Sequence, residues 1–164
     1  MTIDAPLVIH RETVPPEWID YNGHMNVAYY VLAFDHATDS LFDHIGLDEA
    51  YRARHKVSSF AMENHITYLR ELHEGDPLRF EIQLLDLDEK RFHYINCMYH
   101  DTENFLAATA EWLSIHVDME QRRATPMGEP MFGRMKAILE AHKDLPRPPQ
   151  VGRVIGIRRG VKAG

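Results

Sequence analysis

Between Val27 and Ile45 apolar side chains recur every three or four residues, and from Val57 onward the period drops to two. That change constrains the fold more than any other feature, because a 3.6-residue repeat makes one face of a helix and a two-residue repeat one face of a strand. Val27, Tyr30, Val31, Phe34, Thr38, Leu41, Phe42 and Ile45 form the helical stripe. Asn26 stands before it as an N-cap, and Gly46 follows it where a left-handed residue closes a helix. Downstream, "VSSFAMENHITYL" (57 to 69), "LRFEIQLL" (78 to 85), "RFHYINCMYH" (91 to 100) and "NFLAATAEWLSIHV" (104 to 117) read as strands joined by short polar turns, an antiparallel meander. In the first of these, alternation puts Phe60, Met62, Ile66 and Tyr68 on one face and Ala61, Glu63, His65 and Thr67 on the other.

"LVIHRETV" (7 to 14) adds a strand closed by Pro15 and Pro16, and "EPMFGRMKAILEAHK" (129 to 143) adds a second helix. The expected class is α+β, an antiparallel sheet wrapped around one long central helix. His36, Asp39 and Asp43 fall opposite the apolar stripe, so one side of that helix must face solvent, a loop or a second subunit. A length of 164 residues, 45% of them hydrophobic, suits one domain over residues 1 to 145, followed by a Pro/Gly/Arg-rich tail over 146 to 164.

Charge narrows the choice of partner. With 18 basic against 25 acidic residues the net charge is -7, which argues against nucleic acid and for a small molecule. No run approaches the roughly 18 apolar residues that span a bilayer, and "MTIDAPLVIHRETV" lacks the basic end of a signal peptide, so no membrane partner and a cytoplasmic location are expected. Cys97 is the one cysteine, mid-strand among apolar neighbours, and is expected to be inert. Eleven histidines and the acids of the helix raise the question of a metal. No Cys pair or His-x-x-x-His set is present, so a charged helix face is the expectation and no metal ligand is assigned. Ser114 and His116 share a strand face, but no Gly-x-Ser-x-Gly elbow frames the serine.

The chemistry gathers where the long helix begins, in "WIDYNGHMNVAYY" (18 to 30). A helix N-terminus presents unpaired amides and partial positive charge, and so can stabilise an oxyanion forming on a carbonyl. Here those amides belong to Val27, Ala28 and Tyr29, and Asp20 lies six residues before the cap, across a loop containing Gly23. A carboxylate beside such a helix end can act as nucleophile or as general base for water in acyl transfer. The alternative is a capping loop in which Asp20 bonds to nearby amides. Glu63 and His65, side by side on a strand, could polarise water or form an ion pair on a solvated face.

"DYNGHMNVAYYVLAFDHATD" (20 to 39) resembles the signature of the hot-dog-fold thioesterases of the 4-hydroxybenzoyl-CoA thioesterase group, in which Asp-x-x-Gly-His-x-Asn opens the central helix. The resemblance runs over about residues 7 to 120, since element order matches as well. It implies a hot-dog fold and hydrolysis of an acyl-CoA thioester, with Asp20 as catalytic carboxylate, the Val27 amide as oxyanion donor, His24 and Asn26 shaping the loop, and Asp35 as an acid many relatives keep. It implies no cofactor, the CoA thioester being the substrate, and a homodimer or homotetramer, in which a second subunit's strand completes the site and Glu63 serves as a further catalytic group. Many relatives carry an acid two residues before the catalytic one, whereas this chain has Trp18, which suggests an aromatic pocket.

Within the group, "PEWIDYNGHMN", "ENHITYLREL", "GDPL" and "HVDM" together resemble the betainyl-CoA thioesterases of bacterial carnitine breakdown. A trimethylammonium head is held well by aromatic faces and nearby carboxylates, so Trp18, Tyr30, Phe60 and Trp112 are candidate cage walls, with Glu63 as counter-charge and His65 beside it. Ordinary core packing is the competing account of each aromatic. Other acyl-CoA substrates (short, aryl or fatty) and a non-catalytic acyl-CoA-binding role are the alternative functions.

Overall fold

The computed structural model describes residues 3–159. The strands β1 (Leu7–Thr13), β2 (Val57–Tyr68), β3 (Pro77–Leu87), β4 (Arg91–His100), β5 (Leu106–Asp118) and β6 (Arg123–Ala124) form one antiparallel sheet. Its order is β1-β3-β4-β5-β2, with β6 pairing β5. Helix α1 (Val27–Ile45) lies against the inner face, and α2 (Glu49–His55) and α3 (Met131–His142) are the other α-helices among the described residues. None of these helices is long and apolar enough to cross a membrane.

Helix α1 has the expected bounds for the expected reasons. The Asn26 side chain accepts from the Ala28 N–H at 2.9 Å. At the other end Gly46 takes φ +84°, its N–H donating to the Asp43 carbonyl while Leu47 N–H reaches the Phe42 carbonyl at 2.8 Å, a Schellman closure. The buried face consists of Tyr30, Ala33, Phe34, Ala37, Thr38, Leu41, Phe42 and Ile45. Val27 and Val31, assigned to the stripe from spacing alone, are exposed, and Ala33 and Ala37 take the inward positions instead. Phe34 packs edge-on against Phe80 of β3, and Phe42 against Phe92 of β4. Each such side chain contributes about 1.5–3 kcal/mol by leaving water.

The face assignment in β2 needs correction. Ala61 pairs with Ser114 and Glu63 with Leu113, so Met62 is an extra residue at a β-bulge. The bulge reverses the alternation, and Phe60 therefore shares the outer face with Glu63 and His65, while Ala61, Asn64 and Ile66 look inward. In β3 ordinary alternation points Leu85 outward, where with Ile95 and Cys97 it forms a small outer cluster, and a similar shift between Leu84 and Asp86 then puts Asp86 on the outer face opposite His93 and Leu87 inward opposite Phe92. Residues 146–159 hold no helix or strand, and the stretch from Arg147 to Gly152 is anchored on that face. Val151 packs on the cluster, Gly152 N–H donates to Glu111 Oε2 at 2.8 Å, and Arg147 donates to the Leu85 carbonyl. Cys97 beneath them is buried, which pushes its thiol up to about 12 and fits the expected inertness.

The Gly46 closure is testable. A Cβ there would collide with the Arg134 guanidinium, which donates to the Ile45 carbonyl at 3.0 Å. Gly46→Ala should therefore lower unfolding free energy by about 1–2 kcal/mol, the left-handed penalty of an L-residue, read as a lower urea midpoint at unchanged slope.

Candidate active site

The loop from Ile19 to Asn26 is a closed, rigid turn. Ile19 and Met25 form an antiparallel bridge, Asp20 N–H reaches the His24 carbonyl at 3.2 Å, and Gly23 N–H donates to the Asp20 carbonyl at 2.9 Å. Gly23 sits at φ +81°, a conformation side chains disfavour, which is why glycine is wanted there. Met25 N–H to the Leu72 carbonyl (2.7 Å) and Asn26 N–H to the Trp18 carbonyl (2.9 Å) pin the loop to the body.

Asp20 is held at both oxygens. Asn22 N–H donates to Oδ1 at 2.8 Å, and the Asn26 amide donates to Oδ2 at 2.9 Å. The Asn22 N–H chiefly, with the Asn26 amide and the nearby His24, holds this carboxyl below the usual carboxylate range. Asn26 thus acts in both directions, its oxygen capping α1 and its nitrogen fixing Asp20. That pairing settles which helix-end donor is left. Ala28 N–H is taken by the Asn26 side chain and Tyr29 N–H by the Asn26 carbonyl, while Val27 N–H finds no acceptor among the described residues. Val27 is 55% exposed and lines the cleft beside Asp20.

That cleft, about 470 Å³, is lined by Asp20, His24, Asn26, Val27 and Tyr30 from the motif and by Tyr68 and Arg70 from the end of β2. Tyr30 donates from its hydroxyl to the Arg70 carbonyl at 3.3 Å and meets the Tyr68 ring edge-on at 5.2 Å. Burial pushes the Tyr30 hydroxyl up to about 12, so it keeps its proton. His24 Nε2 lies 3.7 Å from Glu71 Oε1. Sequence reading missed Tyr68, Arg70 and Glu71 as neighbours of Asp20, because only the chain's return past Leu72 brings them there.

The other expected site residues stand apart. Glu63, His65 and Trp112 line a second, larger groove of about 640 Å³ on the outer face, with His93, Glu111 and Arg153. Size does not make it the better candidate. Its best-ordered acid, Glu111, is already committed to His93 at 2.7 Å and to Gly152 N–H, and no helix end opens onto it. The four-walled aromatic cage does not form within one chain. Trp18 is 6% exposed and stacked on Tyr29 at 5.5 Å, Trp112 is equally buried and stacked on Tyr94, and Phe60 lies on the outer face. Trp18 therefore supports the loop from beneath, and Tyr30 alone of the four borders the Asp20 cleft.

Comparison with known proteins agrees with this geometry. A family model described as the thioesterase-like superfamily matches residues 14–135. The chain is 40% identical to the betainyl-CoA thioesterase of Pseudomonas aeruginosa over 92% of its own length and 95% of that protein. It is 36% identical to the L-carnitine dehydrogenase/betainyl-CoA thioesterase of a Rhizobium species over 94% of this chain, which spans 31% of that protein. Among solved structures, the hypothetical protein SAV2348 of Staphylococcus aureus, determined in complex with CoA, superposes with a TM-score of 0.88 at 26% identity, covering 96% of this chain and 100% of that one. With the family model matching most of the chain, the relatives matching it over nearly its full length and the solved fold superposing closely, the chain belongs to the thioesterase-like superfamily and is a thioesterase of the hot-dog fold.

Proposed function

We propose that this thioesterase hydrolyses an acyl-CoA and that its substrate is betainyl-CoA, cleaved to glycine betaine and CoA. The observation that carries the reading is the ionised, doubly anchored Asp20 beside the uncommitted Val27 amide. A thioester carbonyl laid over the start of α1 would direct its oxygen at the Val27 N–H, which stabilises the oxyanion as it forms. Asp20 either takes a proton from a water attacking the carbonyl carbon or attacks that carbon itself, the mixed anhydride then being hydrolysed. In both routes the C–S bond breaks, CoA leaves as thiolate and takes up a proton, and the free acid is released.

The acyl group is argued from the close relative and from the lining. Tyr21, Tyr30 and Tyr68 offer aromatic faces, and Asp20 and Glu71 offer carboxylates, to a trimethylammonium head. The working unit in this proposal is a homodimer. β2 is an unpaired sheet edge, and Phe60, Met62, Tyr68, Leu69, Val31 and Leu32 are exposed around it and around the start of α1. A second copy along that edge is the way Glu63 and His65 of one protomer would approach the Asp20 cleft of the other.

Thiol release from a panel of CoA esters tests the assignment. Betainyl-CoA should turn over fastest, and Asp20→Asn should lower kcat on it by about 10²-fold or more. Equal rates for variant and wild type would remove Asp20 from the mechanism, and equal turnover of butyryl-CoA would remove the betainyl assignment while leaving thioesterase activity standing.

The pH profile gives a second test. Activity needs the Asp20 carboxylate and is lost as pH falls through its folded pKa. The acid limb of kcat/KM should therefore lie below the ordinary aspartate value of about 3.9. Asn26→Ala removes one of the bonds holding the carboxylate, so the limb should move up, and the lost cap should cost about 1 kcal/mol in a denaturation measurement.

A further inference from the structure

His10 and Glu12 point inward from β1 toward α1, and His36 meets them from the helix. His36 Nδ1 is 3.0 Å from Glu12 Oε2, and His10 Nε2 is 3.6 Å from Glu12 Oε1. The side chains of His10 and Glu12 are 19% and 17% exposed, and that of His36 is 39% exposed. Two of the atoms in this cluster, His10 Nε2 and Glu12 Oε1, are buried with no hydrogen-bond partner. An orphaned pair of that kind carries a cost unless something satisfies it.

The far side of His10 shows what is missing. Ser40 Oγ lies 2.9 Å from His10 Nδ1 and 3.3 Å from the His36 carbonyl, so when it donates to the carbonyl it accepts from Nδ1–H. In that tautomer the Nε2 lone pair faces Glu12 Oε1. A cation between these two unpartnered atoms, 3.6 Å apart, would satisfy both. The hydroxyl behind His10 has the role that outer partners have in metal sites, fixing which ring nitrogen is free to ligate.

We propose that His10 Nε2, Glu12 and His36 Nδ1 bind a divalent transition metal of the zinc class at the seam between β1 and α1. A tetrahedral site with bonds of about 2.0–2.1 Å has ligand-to-ligand edges of about 3.3 Å. His36 Nδ1 and His10 Nε2 stand 3.0 and 3.6 Å from the two oxygens of Glu12, and the three candidate ligand atoms lie within 4.8 Å of one another, close enough for small side-chain shifts to bring them onto one ion. Two imidazoles and a carboxylate suit zinc, cobalt or nickel, and the partly exposed His36 leaves an approach for the ion and for a water in the fourth position. Trp18 lies 6.2 Å from the His36 ring and stacks on Tyr29, so the ion would brace the support beneath the Asp20 loop. The site stands on its own geometry and does not depend on which acyl-CoA is cleaved.

The test uses the full chain stripped with a chelator and titrated with Zn²⁺ by calorimetry, and with Co²⁺ by visible ligand-field absorption. One ion per chain, a tetrahedral Co²⁺ spectrum and a raised unfolding temperature are expected. His36→Asn should weaken Zn²⁺ binding by at least about tenfold, and Ser40→Ala by about 10–100-fold, as loss of an outer partner does. His55→Ala, on the exposed α2, should bind as wild type does. Circular dichroism of each variant separates lost binding from lost folding. The proposal is overturned if no saturable one-to-one binding occurs, or if folded His36→Asn and His10→Asn chains bind Zn²⁺ as tightly as wild type.

Discussion

Helix α1 can lie flat on the sheet because Ala33 and Ala37 present nothing larger than a methyl group to it, while Phe34 and Phe42 reach past them into the rings of Phe80 and Phe92. Much else depends on that contact. It fixes the direction in which the helix N-terminus emerges, and with it the place where Val27 N–H meets the cleft. It presses the polar flank of α1, through His36 and Ser40, against β1. Thr38, buried in the same layer, returns its hydroxyl to the Phe34 carbonyl and contacts the Tyr94 hydroxyl at 3.2 Å, so this polar group on the packed face is satisfied.

The start of α1 shows how few groups are needed to hold an acid beside a free helix-end donor. One asparagine side chain closes the helix and orients the acid, and in doing so leaves a single backbone donor unclaimed. Had the cap been serine, the helix would still begin at Val27, but no amide nitrogen would remain to hold Asp20. The loop's own backbone bonds then supply the rigidity that keeps acid and donor at a fixed separation, which is what preorganised electrostatic stabilisation requires.

What could be read from the sequence followed from local physics. The bounds of α1 were legible because a capping asparagine and a left-handed glycine mark them, and those of β4 because short polar turns flank it on both sides. Asp20, His24, Asn26, Val27 and Tyr30 were legible together since one short loop and the first turn of α1 carry them. Helix α2 was missed because it buries no side chain and so leaves no apolar period, although Asp48, accepting from Tyr51 N–H, marks its start. The four aromatics expected as cage walls do not meet within one chain because stacking partners decide where a ring goes, and Trp18 and Trp112 find theirs in Tyr29 and Tyr94. His10, Glu12 and His36 escaped notice since β1 and α1 meet only in three dimensions.

Met62 has a consequence for how this strand can vary. Because it is the residue in excess at the bulge, a chain lacking it could keep Ala61 opposite Ser114 and Glu63 opposite Leu113, with every neighbour on its present face. A deletion in the regular stretch beyond it, at Ile66 for example, would instead turn one flank of the strand inside out. The bulge is thus the one place where β2 can change length without exchanging its inner and outer surfaces, and what such a change would alter is the bend of the sheet edge.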